Sequence, residues 1–175
     1  MSLRIAALGL LAEGPASGYD LLKQFENSMA NVWPATQSQL YSELNKLAAA
    51  GLIEVCAVGP RGRKEYQITD AGRAEMHRWV TSPQDDPPFR SAALLRVFLL
   101  GVIPPEQARA HLHAMAEHAE AEVRRLTALR DSLTAGRSDR AADGEFFGLA
   151  ALDYGLRLNA MQAQWARSVV DQLPD

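Results

Sequence analysis

The stretch that decides the fold runs from Trp33 to Thr69 and reads WPATQSQLYSELNKLAAAGLIEVCAVGPRGRKEYQIT. Its first half predicts a helix, because Thr36 or Ser38 can cap an exposed backbone N–H at the start and Gly51 suits the left-handed position at the end. Leucines recur inside it at helical spacing and form one apolar stripe that should face a core: Leu40, Leu44 and Leu47.

The second half of the stretch predicts two strands joined by a basic turn. Leu52 to Val55 begins an extended run, and Tyr66 to Thr69 alternates as a returning strand. The turn between them, Gly59 to Lys64, carries three cations. A guanidinium on such a hairpin can pair with phosphate or with a base edge. A polar-faced helix beside a basic two-stranded wing is what recognition of a duplex groove requires.

Short sequence motifs occur in a fixed order across roughly the first half of the chain. They are Gly18-Tyr19-Asp20-Leu21, Trp33, Gln39-Leu40-Tyr41, Glu43-Leu44, Leu47, Gly51-Leu52-Ile53, Arg63-Lys64, Tyr66, Ile68-Thr69 and Gly72. In this order and spacing the chain resembles the PadR family of transcriptional regulators. Many members carry Pro-Gly where this chain has Gln37-Ser38, and in this the chain is similar to the two-domain subgroup with a helical C-terminal dimerisation domain.

The predicted fold is mainly α, with an N-terminal winged helix-turn-helix domain, a two-stranded wing and an all-helical C-terminal domain. We expect the DNA-binding domain over residues 1–82, a proline-rich linker over 83–88, and the helical dimerisation and effector domain over 89–175. In the first domain Ser17 should cap the second helix and Thr69 the fourth. Trp33 is interpreted as a packing anchor.

The C-terminal half is helical by its apolar periodicity. Residues 89–102 predict a core helix, and Pro105 begins a helix with a heptad seam: Ala108, Leu112, Met115, Ala119, Glu122, Leu126, Leu129 and Leu133. The last helix carries two apolar stripes. One should pack within the subunit, namely Phe146, Leu149, Leu156, Ala160, Ala163 and Val170. A second copy is the expected cover for the other, namely Phe147, Tyr154, Leu158, Met161, Trp165 and Val169.

The resemblance implies a function and a set of site residues. Residues expected at the major groove or its bordering phosphates are Thr36, Gln37, Ser38, Gln39, Tyr41 and Lys46. Arg61, Arg63 and Lys64 should contact the backbone or the adjacent minor groove. Family members are mostly repressors, so we expect a homodimeric repressor on a pseudo-palindromic operator. A phenolic or other aromatic effector is expected between the winged domain and the C-terminal helices, with Trp79, Phe98, Met161 and Trp165 as candidate pocket residues.

Composition bounds these expectations. The chain has 175 residues, 47% of them hydrophobic and 22% charged, with a net charge of −3. Cations and anions are equal in number over residues 1–82, so there is no general basic coat and non-specific DNA binding should be modest. The single cysteine fits a reducing compartment. The apolar run Ile5 to Leu11 is too short for a leader or a membrane span, and we expect a cytoplasmic protein.

Other chemistry is weakly supported by the sequence. Three histidines, His111, His113 and His118, lack the spacing of metal ligands. Ser17, Asp20 and His77 have the residue types of a triad without a nucleophile motif. Cys56 is interpreted as a small buried hydrophobe, with a redox sensor as the alternative. We therefore expect no cofactor and no enzyme, and the competing hypothesis is a winged-helix module for protein–protein interaction.

Overall fold

The computed structural model describes residues 2–28, 35–82, 90–135 and 143–173. It divides into two compact units, Met1–Asp86 and Pro87–Asp175, which are treated separately below. The predicted linker at 83–88 and the predicted packing anchor Trp33 lie outside the described residues. The division between the two units, after Asp86, falls within the residues predicted as the linker.

In its described residues the first unit contains four helices and three short strands. They are α1 (Ser2–Glu13), β1 (Ala16–Ser17), α2 (Gly18–Ser28), α3 (Gln37–Ala49), β2 (Ile53–Val58), β3 (Lys64–Ile68) and α4 (Asp70–Thr81). A single 3-10 turn, Pro60–Gly62, joins β2 to β3. The predicted order of a helix followed by a hairpin wing is confirmed.

The strands form one antiparallel sheet in the order β1-β3-β2. Ile53 pairs with Ile68 and Val58 with Lys64, with a register shift between Val55 and Ala57. The sequence predicted the β2–β3 wing but not the third strand. Two residues are too few to show the alternation that marks a strand, so β1 had no signal of its own.

The core of the first unit is built on helix α3 and its neighbours. The three leucines of the predicted stripe are fully buried, and α1 contributes apolar residues from most of its surface. The core residues from these helices are Ile5, Ala7, Leu8, Leu10, Leu11, Leu21, Phe25, Leu40, Leu44 and Leu47. Full burial of a leucine contributes roughly 1.5–3 kcal/mol, so the stripe fixes the rotation of α3 about its own axis.

The turn after α3 is locked against the start of α4. Gly51 has φ +68°, as predicted for a residue that closes a helix. The predicted cap Thr69 is confirmed, because its Oγ1 accepts from the Gly72 N–H at 3.1 Å and donates to the Gly51 carbonyl at 2.8 Å. A Cβ on Gly72 would lie 2.2 Å from the Leu52 carbonyl oxygen. Only glycine fits at this contact.

The second unit is dominated by two long antiparallel helices. Its elements are α5 (Ala92–Phe98), a 3-10 turn (Leu100–Val102), α6 (Pro105–Thr134) and α7 (Asp143–Gln172). An Arg109 Nη1 donates to the Val170 carbonyl at 3.3 Å, and Arg167 pairs with Glu120. Four positions of the predicted seam of α6 are buried, namely Ala108, Leu112, Ala119 and Leu126, and so is Ala116 beside it. Leu133, the last position of the predicted seam, is 48% exposed.

Two faces of this unit carry exposed apolar side chains. The predicted core helix is shorter than expected, and α5 has no buried residue; Phe98 is 85% exposed. On α7 the predicted inner stripe is buried at Leu156, Ala163 and Val170, whereas Phe146 is exposed. Apolar periodicity indicates which residues share a face, but not whether the same chain covers that face.

Replacing Gly72 by Ala should destabilise the first unit. The new Cβ clashes with backbone, so we expect a loss of about 1–3 kcal/mol in the free energy of unfolding. Urea denaturation measures it. Gly14→Ala is the matched control, because nothing lies within 4 Å of a Cβ there. Equal midpoints for the two variants would contradict the close approach of α4 to Leu52.

Candidate nucleic-acid interface

The start of α3 is fixed by a reciprocal pair of hydrogen bonds. Thr36 Oγ1 accepts from the Gln39 backbone N–H at 3.3 Å, and Gln39 Oε1 accepts from the Thr36 N–H at 2.8 Å. This capping box satisfies two donors that a helix start otherwise leaves unpaired. Thr36, and not Ser38, is therefore the N-cap. Two residues predicted from the sequence to face the groove thus have a structural task as well.

The outward face of α3 is polar. Because the leucine stripe points into the core, the positions half a turn away are Ser38, Ser42 and Asn45, and all three are exposed. Ser42 and Asn45 are not among the site residues predicted from the sequence. Their position opposite the leucine stripe on a helical wheel was the signal that identifies them.

The two flanks of this face differ. On one flank, Lys46 Nζ lies 3.3 Å from Glu43 Oε2, which neutralises part of its charge. On the other flank, Tyr41 packs against the start of α2, where a Cβ on Gly18 would lie 2.7 Å from its ring. The Tyr41 ring is 39% exposed, and this contact holds it between α2 and α3. Gln37 is exposed at the first turn.

A shallow depression lies where α3 borders the start of α1. It has a volume of about 340 Å³, and Leu3 and Ala35 supply its apolar wall. The remaining lining residues come from α3: Ser38, Gln39, Ser42, Glu43 and Lys46. The depression is therefore continuous with the polar face and adds hydroxyl, amide and ammonium groups at its edge.

The wing carries two exposed cations, Arg63 and Lys64, and Arg63 contacts α2. Its tip is closed by a hydrogen bond from the Gly59 N–H to the Arg63 carbonyl at 2.7 Å, and Gly62 has φ +77°. The side chains of Arg63 and Lys64 are exposed, whereas that of Arg61 lies outside the described part of the chain. Arg63 Nη2 donates to Asp20 Oδ2 at 2.5 Å, across 43 residues of sequence.

Asp20 is held from two sides. Ser17 Oγ donates to Asp20 Oδ2 at 2.8 Å and accepts from the Asp20 N–H at 3.3 Å, so Ser17 caps α2 as predicted. The hydrogen bond from Ser17 and then that from Arg63 hold the pKa of the Asp20 carboxyl below its ordinary value. Asp20 is therefore ionised at neutral pH and carries the negative charge of its ion pair with Arg63.

One prediction on the wing is wrong. Cys56 is exposed and not a buried hydrophobe, and its Sγ lies 3.5 Å from the Glu65 carbonyl. It occupies the register shift between Val55 and Ala57, on the strand at the sheet's edge. Every residue of β2 after Ile53 is exposed, so the core covers neither face of this part of the strand and a cysteine there stays in solvent.

The other predicted site residues lie in both units. Trp79 is half-buried against the core of the first unit. Phe98 and Met161 are exposed in the second unit, and Trp165 is half-buried there. The predicted dimerisation stripe on α7 is exposed at Phe147, Tyr154, Leu158 and Met161 and half-buried at Trp165 and Val169.

The described residues contain neither a metal-binding cluster nor a membrane-spanning helix. No group of three or more His, Cys, Asp and Glu side chains within those ranges could hold a metal ion. No helix in the same ranges is long and apolar enough to cross a membrane.

A capped helix with a polar outer face, supported by α2 and flanked by a cation-bearing wing, defines a winged helix-turn-helix protein. The family model described as Transcriptional regulator PadR-like family matches residues 7–78, and the model described as Virulence activator alpha C-term matches residues 89–174. The chain thus combines a PadR-like transcriptional-regulator domain with a C-terminal domain of the virulence-activator type.

Individual relatives match over nearly the whole chain. The negative transcriptional regulator PadR of Bacillus subtilis (strain 168) is 27% identical over 96% of this chain and 95% of its own. Its crystal structure with operator DNA aligns at TM-score 0.85 with 26% identity, covering 98% of this chain and 97% of that chain. Its crystal structure with p-coumaric acid aligns at TM-score 0.85 with 27% identity and covers 100% of both chains. The structure of the Vibrio cholerae virulence activator AphA aligns at TM-score 0.81 with 25% identity, covering 98% of this chain and 97% of that chain.

Removing the N-cap should loosen the start of α3. We expect Thr36→Ala to lower the free energy of unfolding by about 0.5–2 kcal/mol, because the Gln39 backbone N–H loses its acceptor. Ser42→Ala, on the exposed face of the same helix, should leave stability nearly unchanged. Thermal unfolding of both variants, with Gln39→Ala and the double variant, measures the coupling. Strict additivity of Thr36→Ala and Gln39→Ala would contradict the reciprocal pair.

Proposed function

We propose that this chain is a transcriptional repressor that binds a pseudo-palindromic DNA operator as a homodimer. The observation that carries the proposal is the exposed polar face of α3, which stands opposite its buried leucine stripe. Hydroxyls and amides on a firmly seated helix can hydrogen-bond to base edges in the major groove. The likeness to a negative regulator along the whole chain supports the sign of regulation.

The residues divide into two tasks in this proposal. Gln37, Ser38, Ser42 and Asn45 contact base edges, while Thr36 and Gln39 keep the helix start in place beside them. Tyr41, Lys46, Arg61, Arg63 and Lys64 contact phosphates or the adjacent minor groove. Contacts to phosphate fix the register of a protein on DNA, and contacts to bases supply the sequence preference.

Charge explains why two copies are needed. The chain carries a net charge of −3, and Lys46 and Arg63 are each paired with a carboxylate in the free protein. One winged domain therefore gains little from non-specific attraction to phosphate. Two copies that present their α3 helices about one helical turn (~34 Å) apart add the contacts of two half-sites.

We assign dimerisation and effector binding to the second unit. The stripe of α7 with Phe147, Tyr154, Leu158 and Met161 leaves large apolar side chains in water, and α5 adds Phe98. Apolar surface exposed in one contiguous patch usually marks an interface. Because Bacillus subtilis PadR is crystallised with p-coumaric acid, we propose a small phenolic ligand, with Phe98, Met161 and Trp165 of the second unit as candidate contacts.

The alternative of a protein–protein interaction module is not favoured. The matched regulators span both units, and one of them is solved on its operator. A repressor acts where the chromosome lies, so we expect the chain to function in the cytoplasm.

Operator binding should depend on both the helix face and the wing. In an anisotropy assay with DNA from the region upstream of its own gene, Asn45→Ala should lose about 1–3 kcal/mol of binding free energy. Arg63→Ala should flatten the plot of log affinity against log salt by about one phosphate contact. Arg130→Ala, which removes the same charge from the end of α6, is the control.

Unchanged binding by both Asn45→Ala and Arg63→Ala would remove this face from the interface. Failure of the wild-type protein to bind any of the upstream DNA would contradict the proposed function itself. The same assay, repeated with p-coumaric acid, tests the effector: we expect the complex to weaken as the acid is added.

Dimer formation should depend on the exposed stripe of α7. Tyr154 is 70% exposed, so Tyr154→Asp leaves the single subunit intact but would bury a carboxylate between two copies. Sedimentation equilibrium should then report a monomer. Gln164→Asp, exposed on the same helix outside the stripe, should remain a dimer. A dimer of unchanged stability in Tyr154→Asp would place the interface elsewhere.

A further inference from the structure

The ion pair between Asp20 and Arg63 joins the helix-turn-helix to the wing. Asp20 lies in the first turn of α2 and Arg63 at the start of β3, and their side chains are 40% and 49% exposed. An exposed pair of this kind contributes little to stability. Its main effect is to orient the Arg63 side chain, because it ties this flexible cation to Asp20.

That fixed point is itself well anchored. Ser17 is 1% exposed and belongs to strand β1, which pairs with β3. It holds the Asp20 carboxylate through its hydroxyl at 2.8 Å and through its backbone N–H at 3.3 Å. The chain of contacts Ser17, Asp20, Arg63 therefore runs from the sheet to the guanidinium without passing through the wing tip.

The guanidinium keeps donors for a second partner. An arginine has five N–H donors in a planar fork, and Asp20 accepts one hydrogen bond from Nη2. Nε and Nη1 of Arg63 make no hydrogen bond to any residue that the structure describes. A guanidinium held at one edge presents the other edge in one orientation, which favours an acceptor at a fixed position over an acceptor anywhere along a backbone.

We propose that Asp20 is a specificity-determining residue for DNA binding, which acts by orienting Arg63. This inference rests on the proposed function. The carboxylate repels phosphate and offsets the charge of Arg63, so it lowers affinity for DNA of any sequence. It also restricts Arg63 to DNA sites in which a hydrogen-bond acceptor faces the remaining N–H donors of its guanidinium. Asp20 is thus a positioning residue, and discrimination is the property that it changes.

The test compares two DNA duplexes and three variants. The wild-type protein first enriches a duplex from a random-sequence pool, and a scrambled duplex of the same composition serves as the non-specific partner. Asp20→Asn keeps an acceptor for Ser17 and removes the charge. Glu26→Gln, exposed two turns further along α2, removes one charge without touching Arg63. The third variant combines Asp20→Asn with Arg63→Ala.

Asp20→Asn should bind the scrambled duplex more tightly and lower the ratio of specific to non-specific affinity by at least about fivefold. Glu26→Gln should leave the ratio unchanged, and so should Asp20→Asn when Arg63 is already Ala. An equal gain on both duplexes, or a loss of ratio that persists without Arg63, would overturn the inference. If the wild-type protein enriches no duplex, the proposed function fails, which is a different result.

Discussion

The burial of one leucine stripe orients everything that α3 presents to the outside. Leu40, Leu44 and Leu47 are each about 1% exposed or less, and rotating the helix by a single residue would bring polar side chains into the core. The capping box of Thr36 and Gln39 sets where the helix begins. Burial fixes the rotation and the cap fixes the start, so Ser38, Ser42 and Asn45 occupy determined positions on the surface.

Local patterns in the sequence were enough to predict most elements. The stripe of α3, the caps Ser17 and Thr69, the left-handed Gly51 and the seam of α6 all depend on residues within about one heptad of each other. The third strand was missed because two residues carry no period. The length of α5 was overestimated because an apolar run predicts burial without saying what buries it.

The site was harder to predict, because its decisive contacts join distant residues. Asp20 and Arg63 are 43 positions apart, and neither sequence word indicates that they meet. Gly18 matches the family pattern, yet only the structure shows that it makes room for the Tyr41 ring. The exposed bulge at Cys56 likewise depends on how β2 pairs with β3. Such contacts leave no periodic signal, so sequence reasoning identified the elements and missed the links between them.

The polar face of α3 should enter the major groove of an operator in two copies of this chain. Cys56 can be replaced by Ala, and an iron chelate that cleaves DNA can be attached to a cysteine at Ser42. Cleavage of the enriched duplex should centre on two major-groove positions about one helical turn apart. The same chelate at Ala114, on α6, should cut weakly and without a pattern. Equal cleavage by the chelate at Ser42 and the chelate at Ala114 would contradict the account. So would a single cleavage centre from the chelate at Ser42.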